Sequence, residues 1–253
     1  MAKKILNKRA RIMEIKMRFA IISDVHGNLP ALDKVLEDAK ESGVEEYIFV
    51  GDYCLNNPYP NECLNRIRKI ENKYVIRGNE ESYFENLVGK DPSAWNDGQF
   101  QITYWVYNSL SKDNIEYLLS LPLCEKINCY GQSISIAHSS SEFIEDCEHS
   151  EFKTSKVAER YGDKFITQEM LRVDMHKYLK GSDKFKMVFE SLSDGIYIFG
   201  HSHIQWSYIN EDRTKILINP GSCGLPLDCI ENGVPYPFLR RNIFLFMMGQ
   251  DLL

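Results

Sequence analysis

Seven side chains of metal-ligand type stand at or just past the ends of short apolar runs: Asp24 and His26, Asp52, Asn79, His138, then His201 and His203. A lone histidine in such a place is more often a satisfied structural group than a ligand. The recurrence of the pattern along the chain makes these residues a candidate constellation. Carboxylate, carboxamide and imidazole donate oxygen and nitrogen lone pairs without thiolate. That set suits manganese, iron, zinc, nickel or cobalt and does not choose among them.

The elements that must position these groups follow from hydrophobic periodicity. Residues 18–23 (RFAIIS) form an apolar run that stops at Asp24. Residues 30–40 then place Leu32, Val35, Leu36 and Ala39 at helical spacing, with Pro30 suited to a first turn and Gly43 to a helix end. The unit recurs: residues 47–50 (YIFV) enter Gly51-Asp52, Leu64, Ile67 and Ile70 mark a second helix, and residues 74–76 (YVI) enter Arg77-Gly78-Asn79. Further on, β-like residues 124–129 and 133–137 deliver His138, and residues 196–199 (IYIF) enter Gly200-His201-Ser202-His203. Residues 205–209 and 215–218 read as two more strands, the second running into Asn219-Pro220-Gly221-Ser222. Alternating strands and helices predict a sheet covered by helices, with ligand sites where strands end. Residues 80–121 read as helical, with Phe100, Tyr104, Trp105 and Tyr107 as a packing stripe. Residues 142–193 read as a polar insertion or cap with helical patches near 152–160 and 184–192.

In chain order the motifs are Asp24-Val25-His26, Gly51-Asp52, Gly78-Asn79, His138 and Gly200-His201-Ser202-His203. This DxH, GD, GN, H, GHxH series resembles the calcineurin-like metallophosphoesterase superfamily over about residues 18–225. The short start, and Asn219-Pro220-Gly221-Ser222 followed by Gly224 and Pro226, look most like its small bacterial and archaeal phosphodiesterase branch.

The resemblance implies an α/β fold, a four-layer α/β/β/α sandwich of two mixed sheets flanked by helices. It implies two divalent transition-metal ions, manganese first, with iron, zinc, nickel or cobalt as alternatives. Asp24, His26 and His203 would hold one ion, Asn79, His138 and His201 the other, and Asp52 would bridge them. Two such ions lower the pKa of a bridging water, so the implied reaction is attack of a metal-bridging hydroxide on a small phosphate ester, a diester first. Asp52, Asn79 and Glu80 are the expected catalytic residues, and Arg77 and Asn79 the expected phosphate contacts.

One departure matters. Many members carry, after the Asn, a histidine that protonates the leaving group, and this chain has Glu80 followed by Glu81. Neighbouring cations normally strip the proton from a carboxyl, so water or no dedicated acid is expected, and good leaving groups should react best. The alternatives are a phosphomonoesterase, a dinucleoside polyphosphate hydrolase, or a non-catalytic scaffold such as the retromer subunit of this fold.

Composition narrows the class. A chain of 253 residues with 43% hydrophobic and 26% charged residues can bury one core. Residues 18–253 are expected to form a single domain with helical insertions about 80–121 and 142–193, and residues 1–17 to be an upstream start or frayed arm. A net charge of −6 argues against a nucleic-acid partner. Seven cysteines without a CxxC pair read as reduced, buried packing groups. No segment has the apolar length of a membrane span or a signal-peptide core, so the cytoplasm is the expected compartment. His149 and His176 fall outside the pattern and are expected on the surface.

Overall fold

The computed structural model describes residues 17–91, 98–129, 131–145, 147, 154–161, 166–227, 230–231, 234–235 and 244–248. His149 and Cys229 lie outside them. Met17–Ile22 (β1), Glu46–Phe49 (β2) and Lys73–Val75 (β3) pair in parallel. Cys124–Cys129 (β4), Gln132–Ala137 (β5), Gly195–Ile198 (β6), Gln205–Ile209 (β7) and Lys215–Pro220 (β8) form a second sheet in the order β4-β5-β6-β8-β7. Its central strands β5, β6 and β8 are parallel, while β4 and β7 are antiparallel to their neighbours. Ile230–Glu231 (β9) and Val234–Pro235 (β10) make a small antiparallel pair, and Phe244–Met248 (β11) runs antiparallel along β1, so both large sheets are mixed.

The layers follow from strand alternation. Phe19 and Ile21 of β1 point to one side, Ala20 and Ile22 to the other. The first side meets Ile48, Val50, Ile76, Ile134, Ile136, Ile196, Ile198, Ile216 and Ile218, a mostly isoleucine slab between the two sheets. β-branched side chains fill the space between pleated faces well. The other side of β1 packs with Leu29–Glu41 (α1), Pro60–Arg68 (α2), Asn79–Glu85 (α3), Gln101–Ser109 (α4) and Lys112–Ser120 (α5). The far face of the second sheet, with Tyr197, Trp206 and Leu217, is covered by helices Gln168–Gly181 and Asp183–Ser191 through Leu171, Met175, Leu179, Phe185 and Phe189. The result is the expected four-layer α/β/β/α sandwich. Its outermost helical layer is supplied by residues 183–191, close to the helical patch expected near 184–192, and by residues 168–181, where the sequence marked no helix.

Local signals explain the helix that follows the first motif. Asn28 caps α1 by accepting from the Ala31 N–H, Pro30 occupies the first turn, and Gly43 leaves the helix at φ +68°. In the aromatic stripe, Tyr104 and Tyr107 pack on the core as expected, but Trp105 is 48% exposed because its position on α4 faces outward. Four cysteines are buried as expected, whereas Cys124 is exposed at the start of edge strand β4. No helix among the described residues is long and apolar enough to cross a membrane.

Truncating the inter-sheet slab should be costly. Ile198→Ala should lower stability by about 2–5 kcal/mol, and Met187→Ala, at a 70% exposed position, by no more than about 0.5 kcal/mol. Chemical denaturation of both variants checks this.

Candidate metal centre and cleft

The ligand residues sit just past the carboxyl ends of the parallel strands: Asp24 and His26 after β1, Asp52 after β2, Asn79 at the start of α3 beyond β3, His138 after β5, His201 and His203 after β6. Asp24, His26, Asp52, His201 and His203 all have φ between +51° and +69°. That left-handed region costs a non-glycine residue of order ~1–3 kcal/mol, and it persists only where the surroundings enforce it. Backbone bonds do so here: the Asp24 N–H donates to Gly51 O at 3.0 Å, His26 N–H to Asp52 O at 3.0 Å, and Gly200 N–H to His138 O at 2.9 Å. Two glycines make the crowding possible. A Cβ on Gly78 would strike the Asp52 carboxylate, and one on Gly200 would strike Ser23 Oγ and Asp24 Oδ2.

Two groups of donor atoms converge. Asp24 Oδ1 lies 3.2 Å from His203 Nε2 and 3.8 Å from His26 Nε2, and the two imidazole Nε2 atoms are 3.1 Å apart. Asp52 Oδ2 lies 3.2 Å from His138 Nε2, which is 3.1 Å from Asn79 Oδ1, and His201 joins this second group. Asp24 Oδ1 is buried yet receives no hydrogen bond of good geometry, as expected of a lone pair reserved for a cation. The ring orientations agree. His138 Nδ1 lies 2.6 Å from Val50 O and His203 Nδ1 lies 2.6 Å from Leu225 O, so each places a proton on Nδ1 and frees Nε2 for a metal.

The electrostatics have the same meaning. Burial pushes the Asp24 carboxyl up, but His203, His138 and His26 outweigh it and hold it well below the usual range. Burial also pushes Asp52 up, and His138 brings it down. Burial alone would lower both imidazoles, yet Glu80, Asp52 and Asp24 carry His26 up to about 9, and Asp52 and Asp24 carry His138 up to about 10. Without a metal, protons serve as the cations of this site.

Residues outside the ligand series hold the loops. Glu81 is fully buried and accepts from the N–H groups of Asp52 at 2.9 Å, Tyr53 at 2.7 Å and Gly78 at 2.8 Å, tying two ligand loops together. Burial, reinforced by Asp52, pushes its carboxyl up to about 7. Ser222 Oγ donates to Asp24 O at 2.8 Å, and Asn219 Nδ2 donates to Gly200 O at 2.8 Å. Sequence reasoning singled out Asn219 and Ser222 only as family marks and gave Glu81 no role. The available signal was Glu81 at the third position of a helix opened by Gly78, where an acidic side chain reaches back to the cap.

A cleft of about 510 Å³ opens on the second ligand group, lined by Arg77, Asn79, Tyr83, Cys124, His138 and His201 among others. Arg77 is the one arginine or lysine in its lining among the described residues, and it pairs with Glu85 at 2.5 Å. Asn79 Nδ2 donates to Tyr83 Oη at 3.2 Å, which turns Oδ1 toward His138. Glu80 does not line this cleft: it is 8% exposed, with Oε2 3.2 Å from His26 Nδ1. His176, expected on the surface, is half-buried, with Nε2 2.8 Å from Ser207 O and its ring edge-on to Trp206; it is a packing group.

The family model described as calcineurin-like phosphoesterase matches residues 17–205. The chain belongs to this family. It is 29% identical over 217 residues to an uncharacterized protein of Methanocaldococcus jannaschii, covering 85% of this chain and 80% of that one. An 81-residue stretch, 28% of this chain and 44% of the other, is 28% identical to the phosphodiesterase YfcE of Escherichia coli. The solved metallophosphoesterase of Sphaerobacter thermophilus shares the fold, with a TM-score of 0.53 at 21% identity over 83% of this chain and 78% of that one. Membership supports a phosphoester hydrolase, and the aspartate–histidine groups support divalent-metal binding.

Metal binding should therefore displace protons. The raised histidines stabilise the metal-free fold fully below pH 6.5, and that contribution is lost as pH rises through about 9 to 10. Apparent affinity of the metal-free protein for manganese should rise between pH 6.5 and 8.5 by about tenfold per pH unit for each proton displaced. Isothermal titration across that range checks it, and a flat profile contradicts it.

Proposed function

We propose that the chain hydrolyses a small phosphodiester, with two divalent ions held by Asp24, His26 and His203 and by Asn79, His138 and His201, and with Asp52 shared between them. The observation that carries this reading is the presence of two separate aspartate–histidine donor groups, the second of which opens on a cleft whose wall presents Arg77, Asn79 and Tyr83. When bound, such ions supply positive charge to the phosphoryl oxygens and acidify the attacking water.

The remaining work falls to side chains. Asp52 suits the shared position because a carboxylate offers two oxygens and one negative charge. The Asn79 carboxamide brings a neutral oxygen to the ligand group and points its N–H to Tyr83. Tyr83 Oη accepts that bond and retains its own proton to donate to a phosphoryl or leaving-group oxygen. Arg77 offers guanidinium N–H groups matched to phosphate geometry. Glu80 is turned away from the cleft, so the carboxyl next to Asn79 in sequence does not enter it; the carboxyl in its lining is that of Glu142. With no acid supplied from position 80, substrates with good leaving groups should react best.

Several features agree with the rest of the expectation. Arg77 alone cannot track a polyanionic backbone, which fits a small substrate rather than nucleic acid. A cytoplasmic setting is part of this reading, in which four of the described cysteines serve as buried packing groups. The all-oxygen-and-nitrogen donor set fits manganese, iron, zinc, nickel and cobalt alike, and manganese is the ion taken first.

Stripped protein resupplied with manganese should hydrolyse bis-p-nitrophenyl phosphate faster than p-nitrophenyl phosphate. Asn79→Ala should lower diester kcat by about 10²–10³-fold, and Asp52→Asn and His201→Ala should abolish metal-dependent turnover. Equal activity in metal-free protein, or an active Asp52→Asn variant retaining two ions, would defeat the assignment.

A further inference from the structure

The three imidazoles whose Nδ1 contacts are resolved are not held alike. His138 and His203 direct Nδ1 at neutral backbone carbonyls, Val50 O and Leu225 O. His26 directs Nδ1 at a carboxylate, Glu80 Oε2 at 3.2 Å. That carboxylate is itself fixed. The Leu55 N–H donates to Oε2 at 3.3 Å and Asn56 Nδ2 donates to Oε1 at 3.2 Å. Asn56 Nδ2 also lies 3.2 Å from His26 Nδ1, and with a proton on Nδ1 its hydrogen goes to Glu80 instead.

We propose that Glu80 is a positioning residue for the Asp24–His26–His203 ion: it holds the His26 proton on Nδ1, orients Nε2 toward Asp24 and His203, and makes this ion the tighter bound of the two. The inference rests on the metal-ligand reading above. A carboxylate behind an imidazole ligand fixes the tautomer and strengthens the ring as a donor more than a neutral carbonyl does. The geometry also accounts for why Glu80 is absent from the cleft. Its place on the first turn of α3 carries the side chain beneath the loop at residues 55–56, on the far side of His26 from Nε2.

A different occupant of the same spot is conceivable chemically, since His26, Asp52 and Glu80 could themselves surround an ion. The engaged carboxylate argues against it: both Glu80 oxygens already accept hydrogen bonds, and Asp52 Oδ1 accepts from the Glu80 N–H at 3.0 Å.

The test is manganese titration of the metal-free full chain, wild type against Glu80→Gln and Glu80→Ala. Wild type should bind two ions. Each variant should weaken one ion by about 10–100-fold and leave the other unchanged, with Glu80→Gln retaining the wild-type circular dichroism of the metal-free protein. In the zinc-loaded protein, imidazole ¹⁵N spectra should assign the His26 proton to Nδ1 in wild type and show loss of that signature in Glu80→Ala. Unchanged affinities, equal weakening of both ions, or a third ion lost with Glu80 would overturn the proposal while leaving two-ion binding intact. Fewer than two ions in wild type would overturn the metal reading itself, and this proposal with it.

Discussion

Five ligand residues held with left-handed backbone, each against a cost of order ~1–3 kcal/mol, are the constraint around which this molecule is organised. A chain turns its Asp24, His26, Asp52, His201 and His203 into that region only if the loops have nowhere else to go. The strands stop at a common edge, and the loops that follow cross-bond to one another rather than to solvent. The nearly all-isoleucine slab between the sheets supplies the rigid base on which two sheets can present their ends together.

The loops are locked by groups that take no part in chemistry. Glu81 gathers three N–H groups from two loops, and its elevated pKa reflects the cost of burying a carboxyl beside Asp52. Ser222 and Asn219 stitch the end of β8 to the Asp24 and Gly200 turns. Each neutral bond contributes only about 0.5–1.5 kcal/mol net, so the arrangement depends on many of them acting together. Without metal, paired carboxylates and protonated imidazoles keep the site neutral enough to survive. The same pairing means that an incoming ion competes with protons.

Much of this was legible in the sequence because strand ends are marked twice, by a sudden stop in apolar periodicity and by a polar residue of ligand type. The Asp24, Asp52, His138 and His201 turns were all readable that way. The outer helical layer was legible only at Asp183–Ser191, and the helix Gln168–Gly181 was not. Leu171, Met175 and Leu179 make a narrow apolar stripe in a polar helix, and the partners that give the stripe meaning, Trp206 and Leu217, lie on strands further along the chain. The destination of Glu80 was equally hidden. Its place beside Asn79 announced a cleft residue, whereas the direction of the first helical turn takes it behind His26. Tyr83 became visible only once α3 was known to place it one turn from Asn79.

The most direct test of the account is anomalous diffraction from crystals of the manganese-loaded protein. The account predicts two manganese peaks per chain, one among Asp24, His26 and His203 and one among Asn79, His138 and His201, with Asp52 in contact with both. A single peak, or manganese bound away from these residues, would contradict it.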